Sequence, residues 1–340
     1  MDEEKFARGT FAAVKRQNKK RNSQTRVVPV LGGVFSREPL GGQIALARYE
    51  ALLRIAAQDH PRDHVFVAAV DSDGRKSKHA VLAPGDSIVF GRHDQAGLQH
   101  QSDDLSLRHL AIAAAPSSTA DDPLVRVWDL VTGRPFKTED GTPTKAITAD
   151  GPVFATVGAV FLAIIPLGSL PEKLPIGTLA LWHSLPERNV ISCVAEGSVV
   201  GSLPTPKPAT NPPSTSSRRT KVTQLMPVCG LEDCEPKIAV AELCLTTRGG
   251  KRQFRISMEA LERGILIGRY ERCLNLGGEL SVLSRVHLLI SKMGQDVVAI
   301  DTASTFGSSK SSGRFDSAVL GSVDDMLLAD VFLVEWKYQP

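Results

Sequence analysis

Two stretches of this chain place an arginine and a serine where together they could grip an anion. The first is Gly91-Arg92, followed by Ser106, Leu107, Arg108 and His109; the second is Gly268-Arg269, followed by Ser284, Arg285, Val286 and His287. Fourteen positions separate Arg92 from Ser106 and fifteen separate Arg269 from Ser284, while serine to histidine is three in both. A guanidinium suits phosphate because its planar fork donates two parallel, charge-assisted hydrogen bonds and keeps its proton. The serine hydroxyl adds a further donor. No side chain of the set has to take up or release a proton, so the pattern binds rather than catalyses. A hydrolase built on Ser284 and His287 is the rival chemistry, but no Gly-x-Ser-x-Gly elbow accompanies them.

The elements around these residues repeat as well. Val160-Phe161-Leu162 near the end of the first copy matches Val331-Phe332-Leu333 near the end of the second. Three anchors at nearly constant offset imply a duplicated domain of about a hundred residues. Short apolar runs separated by turn clusters fill both copies: VFVAAV before DSDG, SIVF before GRHD, then GILIG, HLLIS and DVFLVEW. Strands of this length and spacing predict antiparallel sandwiches, with the arginine and serine on loops at one end.

The residues at the anchors resemble the forkhead-associated (FHA) domain, a β-sandwich that binds phosphothreonine peptides. Its pattern is Gly-Arg, then Ser-Arg-x-His, then Asp-x-x-Ser-x-Asn-Gly-Thr. The second copy carries the first two elements in full and the third in part, as Asp301 to Ser308. The first copy has Leu107 where the second arginine is usual, and Asp129 to Arg134 for the last element. The resemblance implies that Arg269, Ser284 and Arg285 hold phosphate in the second copy, and Arg92 and Ser106 in the first. It also implies structural roles for Gly91, Gly268 and the buried braces His109 and His287. Phe306 and Arg134 stand where the family has the asparagine that holds the peptide backbone, and a phenyl ring cannot make those bonds. The implied function is a non-enzymatic phosphothreonine-binding adaptor in Ser/Thr kinase signalling, acting chiefly through the second copy. The alternative is a structural or assembly protein that uses the same sandwiches for phosphate-independent contacts.

Composition excludes several classes. A net charge of +3 over 340 residues is too small for a whole-molecule polyanion binder. The basic excess sits at the N-terminus, which lacks a groove-reading motif and reads as a solvated tail rather than a nucleic-acid site. No apolar run reaches the roughly 20 residues of a spanning helix, and no secretory segment is visible, so the expected location is cytoplasmic. Cys193, Cys229, Cys234, Cys244 and Cys273 form no zinc spacing and read as free thiols. Neither a metal nor a cofactor is expected.

The expected map is a disordered basic tail over 1–40, a short helix over 41–60 and a first sandwich over 62–168. That sandwich ends somewhere between 168 and 198, with TLALWHS and NVISCVA read as strands. A disordered Pro/Ser/Thr linker over 199–227 leads to the second sandwich, 236–338. Thr25, Thr220 and Thr223 each sit in a basic segment ahead of one copy, and are expected to be accessible to a kinase as internal or intermolecular ligands.

Overall fold

The computed structural model describes residues 40–72, 77–116, 123–130, 132–192, 219–225, 227, 238–247, 250–274 and 281–339. All lie in one compact unit, Pro39–Pro340. The basic tail, the Pro-rich segment 199–218, Thr25, Cys193, Cys229 and Cys234 fall outside the described residues.

The chain is mostly β, built as two antiparallel sandwiches with the same wiring. In the first, an outer sheet runs in the order Ser77–Leu82, Val65–Asp71, Val160–Pro166, Val153–Val157, Phe136–Thr138, Pro143–Thr144. In the second, Gly250–Ser257, Ala239–Thr247, Phe332–Tyr338, Val323–Leu328, Ser308–Lys310 and Gly313–Phe315 repeat that order. The inner sheets share a four-strand core. It is Ala146–Ala149, Leu124–Asp129, Leu110–Ala115, Ser87–Gly91 in one and Ser317–Leu320, Asp296–Asp301, Leu288–Met293, Ile265–Ile267 in the other. Each copy closes as its last strand pairs with its first, which is where the third sequence anchor falls.

Strands with no polar face need cover on both sides, and here they have it. Leu110–Ala115 reads LAIAAA and every residue is buried. Leu110, Ile112 and Ala114 face the core of their own sandwich with Val125, Val127 and Ile147. Ala111, Ala113 and Ala115 face the other way, onto Leu266, Leu289, Met293, Val298 and Ile300 of the second copy. The two inner sheets therefore pack face to face. Alanine's short side chain allows close approach, and the large residues opposite fill the space.

Two groups fix this interface. Trp128 is fully buried and donates its indole N–H to the Arg263 carbonyl at 3.1 Å. Arg126, 6% exposed, stacks over the Trp128 ring at 4.8 Å and donates to the carbonyls of Lys292 and Glu262. Burial pulls its pKa down to about 10, which still leaves it charged near neutrality.

Helices cover the far side. In α1 (Leu40–Asp59) the residues Leu46, Tyr49, Leu53 and Ala56 recur at helical spacing and bury one stripe on Phe66, Ala68 and Val70. The segment TLALWHS is a helix, α2 (Thr178–Ser184), and not the expected strand. Gly177, at φ 92°, turns the chain into it, and Leu181 and Trp182 then bury beside Phe154.

A second correction concerns the linker. Arg219–Leu225 is a strand, paired antiparallel to Ala146–Ala149 and parallel to Glu187–Ser192, so the inner sheet of the first copy extends through it. Its alternation of Thr220, Val222 and Gln224 buries one face, a period-two pattern that the polar composition of TKVTQ concealed. Among the described residues, no helix is long and apolar enough to cross a membrane.

Candidate functional site

Gly-Arg sits where the edge strand of each inner-sheet core ends, and the serine loop folds back beside it. In both copies the same ladder ties them. The Arg92 N–H donates to the Ser106 carbonyl at 3.0 Å and the Arg269 N–H to the Ser284 carbonyl at 3.1 Å. The next residues, His93 and Tyr270, donate to Leu107 and Arg285 at 2.8 and 3.0 Å. This approach explains the glycine. A Cβ at Gly91 would lie 2.3 Å from the Leu107 carbonyl oxygen, and one at Gly268 would lie 2.3 Å from that of Arg285.

The histidines brace two loops at once. His109 Nδ1 accepts from the Ser106 N–H at 3.0 Å, and His287 Nδ1 accepts from the Ser284 N–H at 3.3 Å. A backbone N–H can only donate, so each ring carries its proton on Nε2 and gives it to a carbonyl of the third motif. Those carbonyls are Arg134 at 3.0 Å and Gly307 at 3.1 Å. Both rings are fully buried, and burial holds both pKa values below the ordinary histidine range. Beside His109, burial pushes the Asp129 carboxyl up. Because His287 meets the serine's backbone rather than its hydroxyl, Ser284 and His287 lack the nucleophile–base contact that hydrolysis needs.

The third motif shapes the rim. Asp301 accepts from the Ser304 N–H at 2.6 Å and from the Ser304 and Ser308 hydroxyls at 2.8 and 2.6 Å. The loop so held presents the Thr305 N–H to Ser284 Oγ at 3.0 Å. With its oxygen accepting there, the Ser284 hydroxyl is left to donate outwards. In the first copy Asp129 caps Thr132 in the same manner, N–H to carboxylate at 2.9 Å.

The sites then diverge. Arg92 turns its Nε onto the Leu105 carbonyl at 2.6 Å. Arg269 and Arg285 are exposed, and neither guanidinium has a partner among the described residues. Leu107, 52% exposed, occupies the position of Arg285, and Phe306, 49% exposed, stands on the rim of the second site. Arg134 gives its guanidinium to the carbonyls of Asp103 and Asp104, at 3.3 and 3.1 Å.

Face-to-face packing brings the two loop ends together. One cleft of about 590 Å³ is lined by Arg92, Ser106 and Arg108 from the first copy and by Arg269, Ser284 and Arg285 from the second. Among the described residues, no carboxylate lines it.

Solved structures similar to this chain include FHA domains. The first FHA domain of Mycobacterium tuberculosis Rv1747 is 21% identical, with a TM-score of 0.25 over 30% of this chain and 100% of its own. The FHA domain of Chlamydia trachomatis CT664 is 16% identical, with a TM-score of 0.25 over 30% of this chain and 96% of its own. Mycobacterium tuberculosis EmbR, solved with a low-affinity phosphopeptide, is 20% identical, with a TM-score of 0.24 over 29% of this chain and 24% of its own. No family model matches the chain, and no curated protein sequence matches it.

Arg108 reads from the sequence as a charge that could serve the first site, but its bonds go to the second copy. Arg108 crosses from the first copy and donates its Nε to the Ala303 carbonyl, with Nη2 3.4 Å from the Thr305 hydroxyl. It thereby steadies the loop whose N–H engages Ser284. Its partners lie 195 and 197 residues away, and no local signal could have announced them. The candidate phosphosites fare differently from expectation. Thr220 is 1% exposed and Thr223 is half-buried, both within a strand paired on either side. A kinase cannot draw such a strand into its cleft without opening the sheet, so neither is an accessible acceptor.

Proposed function

We propose that this protein binds phosphothreonine peptides as a non-enzymatic adaptor in Ser/Thr kinase signalling, chiefly through the second copy. The observation that carries this is the pair of exposed guanidiniums of Arg269 and Arg285, without a partner among the described residues, in one cleft with the hydroxyl of Ser284. A phosphothreonine brings nearly two negative charges and three strong acceptor oxygens to such donors. The loops that carry them are tied to paired strands, so the ordering cost on binding falls mainly on the arginine side chains. The EmbR structure with its phosphopeptide is consistent with this mode.

The test is titration of the full chain with matched phosphothreonine and unmodified peptide libraries, for wild type and Arg269→Ala. The phosphorylated library should bind preferentially, and the substitution should remove about 2 kcal/mol, the range for hydrogen bonds to charged groups. Equal binding of both libraries would favour a second reading, phosphate-independent contact between proteins. Phe306 supports that alternative, because it offers the rim an apolar face where a backbone-holding amide would serve a phosphopeptide.

A further inference from the structure

The geometry points to a single site shared by both copies, whose ligand is one peptide segment carrying two phosphates. One phosphate lies on Arg269, Ser284 and Arg285, the other on Arg92 and Ser106. This rests on the phosphothreonine reading above and names its ligand more closely.

Three observations support it. The two sets of donors open into one cleft rather than onto opposite ends of the molecule. Its volume of about 590 Å³ falls within the ~300–1,000 Å³ typical of ligand pockets, enough for a short segment. Charge gives the second argument. Arg92, Arg108, Arg269 and Arg285 line the cleft and no carboxylate among the described residues lines it, although Asp94 and Asp301 act on Arg108 from nearby. A single phosphate neutralises about two of these positive charges, and a second would neutralise the rest. The third is Ser106, whose hydroxyl has no partner among the described residues although it stands beside Arg92.

The interface makes the pairing effective. Arg108 bonds to the Ala303 carbonyl, and Trp128 and the alanine stripe lock the inner sheets together, so the spacing of the two donor sets is built in. Once one phosphate is held, the second binds as an intramolecular event at high effective concentration. The lining also holds apolar Leu107, Leu130, Val282 and Phe306 beside polar Thr132, Ser281 and Thr305. A peptide, with both apolar and polar side chains, suits that mixture better than a sugar phosphate does.

Fluorescence anisotropy on the full chain tests this. The probes are peptides with one fixed phosphothreonine and a second placed about two to six residues away on either side, the reach of a short extended segment. Singly phosphorylated parents and glutamate at the second position serve as comparisons. At least one doubly phosphorylated peptide should bind about tenfold or more tightly than its parent. Both Arg92→Ala and Ser106→Ala should erase that advantage. Ser106→Ala guards against misfolding, because it removes a hydroxyl with no partner among the described residues. If singly phosphorylated peptides bind and no second phosphate adds affinity, the shared site falls while the phosphothreonine reading stands. A glutamate that gives the full gain, or an advantage that survives both substitutions, also overturns it. If no phosphorylated peptide binds, both readings fall.

Discussion

The two copies have the same strand order, the same glycine-enforced approach of two loops and the same histidine brace, yet they hold their arginines differently. In the second copy Arg269 and Arg285 are exposed and unpartnered among the described residues. In the first, Arg92 supports the Leu105 carbonyl, Leu107 replaces the second arginine and Arg108 reaches into the other copy. The two copies share the scaffold and differ at the rim. The reason is energetic: a glycine that meets a carbonyl or a histidine that bridges two buried loops cannot be altered cheaply, whereas a rim side chain in water can.

The largest effect should come from breaking the contact between the copies. Trp128→Ala removes the fully buried ring at the interface and its bond to Arg263, and should cost about 3–5 kcal/mol in denaturant unfolding. A cost within the ±0.5 kcal/mol of a surface substitution would show that the inner sheets do not depend on each other.

Exchanging the residue that follows the site serine, Arg285 or Leu107, sharpens the comparison next. Arg285→Leu, which makes the second site resemble the first, should weaken phosphothreonine-peptide binding by about 1.5–3 kcal/mol. Leu107→Arg should strengthen binding to the first site, read in an Arg269→Ala background by titration calorimetry. No gain there would mean that the committed Nε of Arg92, and not Leu107, limits the first copy.

The smallest effect concerns pH, where the copies should agree. Burial lowers the pKa of both His109 and His287 below the unfolded value of 6.5, so the unfolded chain takes up these protons first. Their contribution to stability is full above that value and is lost as pH falls towards the folded pKa. The melting temperature should therefore drop on acidification below about 6.5, the point at which an ordinary histidine charges. His287 gives the cleaner reading, because Asp129 beside His109 is shifted up by burial and works with the opposite sign. A melting temperature that stays level or rises on acidification through this range would contradict the buried, neutral state of the braces.

Much of the site was legible because its parts are local. Gly-Arg and Ser-x-x-His each span a few residues, and the loops they form are decided within them. The sandwich strands were legible too, since a short apolar run between turn residues admits few other structures. Misreadings arose where a short segment carried two patterns. TLALWHS could alternate or coil, and Gly177 with the cover needed by Phe154 decided for the helix. TKVTQ looked like linker by composition, but the open edge at Ala146–Ala149 offered its backbone a partner.

By itself the sequence determined that there are two like sandwiches, where their Gly-Arg and Ser-x-x-His residues lie and which copy keeps the fuller set of arginines. Those are consequences of residue type and spacing along one stretch of chain. Only the tertiary structure decided that the copies share a face, that Arg108 serves the neighbouring loop and that both donor sets open into one cleft. An alanine stripe in an all-apolar strand says that its second face must be covered. What covers it depends on shape and on residues nearly two hundred positions away.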